Sequence, residues 1–148
     1  MNKNILAAVI VLGILVVFGY HYYKYSVMET RPLENQYRLG NKYLEDGKYE
    51  KALQLFDEVL AEQADYTEAY NARALTLMKM ERFDESRASF NRAIELDNQF
   101  ANAYANRGIL NDLVGRLEEA LRDYRKALEL DPELGEGPGF LWRFLRNI

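Results

Sequence analysis

The sequence contains no cysteine and one histidine. The missing thiols exclude disulfides, thiolate metal sites, a cysteine nucleophile and a lipid-modified N-terminal cysteine. A single imidazole excludes a multi-histidine metal centre and leaves little for a Ser-His relay. Excess basic charge is also lacking: 19 Lys+Arg stand against 23 Asp+Glu, for a formal charge of -4. A generally basic nucleic-acid binder is thereby excluded, and no nucleic-acid partner is expected. Catalytic motifs are missing as well. There is no HExxH, GxSxG or CxxC, and GEGPG at 135–139 lacks the lysine and hydroxyl residue of a phosphate loop. The adjacent acids Asp84-Glu85 and Glu118-Glu119 point about 100° apart on a helix, so they do not converge. They suit the positive end of a helix dipole instead. Neither an enzyme nor a cofactor nor a metal is expected.

The apolar residues are unevenly spread. From Ile5 to Tyr20 the chain reads ILAAVIVLGILVVFGY, and the stretch between Lys3 and Lys24 carries no formal charge. A helix of that length spans about 30 Å, the thickness of a bilayer core. Tyr20, Tyr22, Tyr23 and Tyr25 suit a membrane–water interface. A cleaved signal peptide needs small residues after its apolar core, and GYHYYKYS is bulky. Residues 1–24 are therefore predicted to be an uncleaved transmembrane signal-anchor, in the membrane over 4–23, followed by a linker at 25–32. His21 is expected to be a solvated flank residue. The flanking charges, Lys3 against Lys24 and Arg31 with Glu29, leave the orientation balanced. The short N-terminal tail favours the N-terminus inside and the bulk of the chain outside the cytoplasm.

The remainder repeats at one fixed period of 34 residues. Gly40, Ala74 and Gly108 align, as do Phe56, Phe90 and Tyr124. Ala52, Ser86 and Ala120 align, and so do Val59, Ala93 and Ala127. Three uninterrupted units result, 33–66, 67–100 and 101–134. Each unit reads as two helices, A and B. In the third, A is predicted over about 101–114 and B over about 117–130. Leu117, Ala120, Leu121, Tyr124, Ala127 and Leu128 form a stripe of helical period. Gly108 is expected to face Ala120, where two backbones approach. Gly47 and Gly115 occupy the A-to-B turn, where a left-handed backbone is easiest for glycine. Glu81 stands there in the second unit, at a small predicted cost. Asp131-Pro132 ends the last B helix.

This spacing and these residues resemble the tetratricopeptide repeat, a helix-turn-helix unit. The third unit, AYANRGILNDLVGRLEEALRDYRKALELDP, fits that pattern almost throughout. Departures are Gln36 where Tyr70 and Tyr104 supply an aromatic, and Arg73 and Arg107 where leucine is common. The resemblance implies an all-α, right-handed helical solenoid that binds rather than catalyses. Its concave face would be lined by the A helices.

By register, the groove is expected to hold Tyr37, Arg38, Asn41, Asn71, Leu75, Met78, Asn102, Asn106 and Ile109. Some proteins of this family grip a terminal carboxylate with a basic and asparagine clamp. This sequence keeps Asn41 of that pattern but has Tyr37, Ala72, Asn102 and Asn106 at the other places, so the clamp is not expected. Asparagine amides interleaved with apolar side chains suit an extended or helical peptide of mild polarity. The competing reading makes these asparagines solvated or helix-stabilising residues.

After the repeats, GEGPG breaks the chain, and GFLWRFLRNI over 139–148 reads as a short apolar helix. It is expected to cap the solenoid; a partner contact around Trp142 and a membrane-surface contact are its rivals. The whole reads as a membrane-anchored scaffold with a protein or peptide partner. By resemblance it serves envelope assembly or secretion, with the repeats in the periplasm of a bacterial inner-membrane protein. A homo-oligomeric module and a cytosol-facing targeting adaptor are the alternatives.

Overall fold

The computed structural model describes residues 12–21 and 32–135, all of them helical or in short turns. The chain divides into two compact units, Met1–Asn35 and Gln36–Ile148. In the first, one helix, α1, covers residues 12–21. Its side chains are exposed on every face; Phe18 is 72% exposed. Among the described residues no helix is long and apolar enough to cross a membrane. Most of the expected anchor, and the whole expected tail helix, lie outside the described residues.

Six further helices follow in A/B pairs: α2 (Pro32–Glu45) with α3 (Tyr49–Glu62), α4 (Thr67–Lys79) with α5 (Phe83–Leu96), and α6 (Ala101–Leu113) with α7 (Leu117–Leu130). Proline opens α2, where its missing N–H and fixed φ are harmless. The linker expected to run to residue 32 therefore yields that residue to the helix. Each A helix ends in the same double hydrogen bond. The N–H of Lys48, Arg82 and Arg116 donates to the carbonyl of Tyr43, Leu77 and Asn111, at 2.8, 2.9 and 2.8 Å. That closure needs a left-handed residue just before it. Gly47 and Gly115 supply it at φ 73° and 78°, and Glu81 is held there at φ 60°. Helix α7 stops at Leu130, and Pro132–Gly135 adds one tight helical turn.

The core is a row of rings set against small residues. Phe56, Phe90 and Tyr124 are fully buried. A Cβ placed on Gly40 would lie 2.6 Å from the Phe56 ring, and one on Gly108 would lie 2.5 Å from the Tyr124 ring. Gly108 thus makes room for the aromatic one turn further along α7 than Ala120, its expected partner. Burial pushes the Tyr124 phenol well up from 10.0, with Asp112 and Asp123 adding to the shift, so the ring stays neutral. Leu117 was expected in the apolar stripe but is 59% exposed. Its counterpart Phe83 packs on a cluster that includes Leu110 of the next unit. No fourth unit follows among the described residues to do the same for Leu117.

Candidate peptide-binding groove

Helices α4 and α6 touch each other directly, besides packing on their B partners. This contact sets α4 and α6 side by side on one face, which the A-helix lining of such solenoids makes the inner one. The nine groove residues divide by environment. Tyr37 is half-buried, its ring 5.1 Å from Tyr66 and 6.0 Å from Phe56. Leu75 and Met78 lean on the cluster of Ala74, Phe90 and Leu110, and Ile109 leans on that of Tyr124. All three keep part of their surface open. Asn41 is half-buried, while Arg38 and Asn102 are exposed.

Asn71 and Asn106 are brought together. Asn106 Nδ2 donates to Asn71 Oδ1 at 3.1 Å, joining α4 to α6. Each amide offers both donors and an acceptor. The pair therefore leaves the Asn71 NH2 group and the Asn106 carbonyl oxygen for a further partner. Ala72, one of the clamp positions, is buried against Ala52 and Phe56 of the preceding B helix. None of the positions where a carboxylate clamp needs a cation carries one.

The outer side holds side chains whose roles register alone does not reveal. Arg73 Nε donates to Asp57 Oδ1 at 2.6 Å, and its Nη1 to Ser89 Oγ at 2.7 Å. One repeat later, Arg107 Nη1 donates to Asn91 Oδ1 at 2.8 Å. Its Nε and Nη2 grip Asp123 at 2.9 and 2.6 Å. Asn111 Nδ2 adds a third bond to Asp123, at 3.0 Å. Each arginine thus ties its own B helix to the preceding one. Arginine twice at the seventh place of a unit is the visible cue, and an acceptor sixteen residues to either side completes it.

Two outer crevices flank these arginines. One, of about 510 Å3, is lined by Leu53, Asp57, Glu58, Met80 and Arg82 among others. The other, of about 230 Å3, is lined by Arg87, Arg107, Arg116, Glu119, Arg122 and Asp123, together with two asparagines. Neither is lined by any of the nine groove residues.

Comparison with known proteins agrees with this architecture. Models of the tetratricopeptide repeat match residues 37–99 and 101–134. No curated relative matches the chain. Among solved structures, the first TPR of Spaghetti (RPAP3) bound to HSP90 peptide SRMEEVD is 27% identical, with a TM-score of 0.69 over 78% of this chain and 88% of that one. The second TPR domain of human RPAP3, in complex with HSP70 peptide SGPTIEEVD, is 28% identical, with a TM-score of 0.62 over 68% and 87%. The Arabidopsis OM64 TPR domain is 25% identical, with a TM-score of 0.66 over 68% and 84%. Three helix pairs in one register, ring against small residue, and the family match lead to one conclusion: residues 37–99 and 101–134 belong to the tetratricopeptide-repeat family.

Proposed function

We propose that this chain is a non-catalytic scaffold whose A-helix face binds a peptide segment of a partner protein, extended or helical and mildly polar. The observation that carries the reading is the Asn71–Asn106 pair, which keeps a donor and an acceptor open beside Leu75, Met78 and Ile109. Amide groups of this kind pair with peptide backbone, and the apolar neighbours take side chains. Structurally similar repeats hold peptides of HSP90 and HSP70, which supports a peptide ligand. Those peptides are acidic at their C-termini. Tyr37, Asn102 and Asn106 give this chain no matching cations at the clamp positions, and Ala72 replaces a clamp asparagine, so its ligand differs in charge.

The apolar run over 5–20 and the all-round exposure of α1 support a membrane anchor. Anchoring confines the groove to a surface and raises its effective concentration towards partners there. Envelope assembly or secretion, with the repeats outside the cytoplasm, is the setting this reading favours. Pull-down of partners with Asn71→Ala plus Asn106→Ala tests the groove. Loss of a partner that the parent chain retains supports it; retention of every partner refutes it.

A further inference from the structure

The smaller outer crevice lies between α5, α6 and α7 and carries four guanidinium groups against two carboxylates. Both carboxylates are already occupied. Asp123 is gripped by Arg107 and Asn111, and Glu119 stands 3.9 Å from Arg122. Among the described residues Arg116 is therefore left without a carboxylate partner, and Arg87 has only the exposed Asp84 outside the crevice. Arg87 Nε is buried without a hydrogen-bond partner. The nearest acid to its guanidinium among the described residues is Asp84, at 4.0 Å, and that side chain is 97% exposed. A buried guanidinium N–H left unmade is costly, so the site has a strong call for an acceptor. The same place one repeat earlier holds Leu53, and the place of Arg122 holds Ala88. Arg87 and Arg122 thus belong to this crevice and not to the repeat, whereas Arg107 and Arg116 recur as Arg73 and Arg82. The cluster also sits in a chain whose formal charge is -4.

We propose that this crevice binds a phosphoryl group, with Arg87 and Arg116 as its principal donors and Arg122 at the rim. Guanidinium N–H groups form a planar fork that matches phosphate oxygens. A phosphate monoester carries close to two negative charges near neutral pH and can be shared by Arg116 and the weakly paired Arg87, whereas a carboxylate carries one. The group is supplied either free, as inorganic phosphate, or by a phosphorylated side chain of a partner. The site is separate from the A-helix groove and does not depend on what that groove binds.

Calorimetric titration of the full chain with inorganic phosphate, and with a short phosphoserine peptide, tests this. Saturable binding of one phosphoryl group per chain is expected, weakening as salt screens the charges. Arg87→Gln and Arg122→Gln should each weaken binding about tenfold. Arg122 is 64% exposed, so its replacement leaves the fold intact and keeps the test valid should Arg87→Gln unfold. Arg82→Gln, which changes the counterpart of Arg116 in the other crevice, should have no effect. Tighter binding of the peptide assigns the group to a partner protein, and equal binding assigns it to free phosphate. No saturable binding of either, or equal loss with Arg82→Gln, overturns the proposal.

Discussion

The surroundings of the two arginine bridges share one frame and differ in nearly every side chain. Moving from the first to the second by one repeat, Leu53 becomes Arg87, Asp57 becomes Asn91, and Leu77 becomes Asn111. Ala88 becomes Arg122 and Ser89 becomes Asp123. Only the bridging arginine and the residues at the start of the B helix persist: Arg73 and Arg107, Arg82 and Arg116, Glu85 and Glu119. At the first bridge Arg73 finds its carboxylate on the preceding B helix, at Asp57, which is half exposed. At the second Arg107 finds it on its own B helix, at Asp123, which is 8% exposed. The small-residue and ring positions hold the backbone, so the outward positions are free to exchange chemistry. One scaffold thus presents an apolar, acid-rimmed hollow and a basic one within a single repeat length.

The contrast can be broken most severely at the buried carboxylate. Asp123→Ala leaves Arg107 and Asn111 without their shared acceptor and should cost about 2–3 kcal/mol in urea unfolding. Ser89→Ala, its counterpart, removes two part-buried bonds, one accepted from Arg73 and one donated to the Glu85 carbonyl, and should cost about 1 kcal/mol, since neither leaves a buried carboxylate or its partners stranded. Replacing Arg107 and Asp123 together by Met and Leu should recover most of the larger loss, since an apolar pair replaces a buried ionic one. If the two single variants lose the same stability, the two bridges are not energetically distinct.

The ring seats offer a second, smaller contrast. Gly40→Ala and Gly108→Ala drive a Cβ into an aromatic ring, offset in part by better helix propensity. A net loss of about 1–2 kcal/mol is expected for each, read as a lower melting temperature. Smaller still is the turn of the second unit. Glu81→Gly relieves a left-handed glutamate and should raise stability by about 1 kcal/mol. Gly115→Glu should do the reverse in the third. Smallest is the inner amide pair. Asn71→Ala plus Asn106→Ala removes one part-buried hydrogen bond and should cost under about 1 kcal/mol. Binding in the groove is expected to be lost nonetheless, separating a recognition role from a structural one.

Much of the architecture was legible in the residues, because the period of 34 repeats the same physical demands three times. Helix α7 runs over Leu117–Leu130 as expected, and α6 ends at Leu113, one residue early. The left-handed turns at Gly47, Glu81 and Gly115 were legible for the same reason. Contacts between units were harder to read. The Asn71–Asn106 bond joins residues on different helices, and nothing in either local sequence specifies it. The arginine bridges show the same limit: Arg73 and Arg107 stand out as departures, but their acceptors depend on how B helices lie beside the next A helix. Leu117 lies in the periodic stripe yet is exposed, because periodicity reports a stripe and not whether a neighbour covers it.

The central claim is that the partner segment lies on the A-helix face and not on the outer side. A photo-reactive residue placed in turn at Met78, on that face, and at Gln54, beside the larger outer crevice, tests it directly. The account predicts a covalent adduct with a partner peptide from position 78, absent from position 54, and abolished when Asn71 and Asn106 are both alanine. An adduct from position 54 with none from position 78, or an adduct at 78 indifferent to the two asparagines, would contradict it.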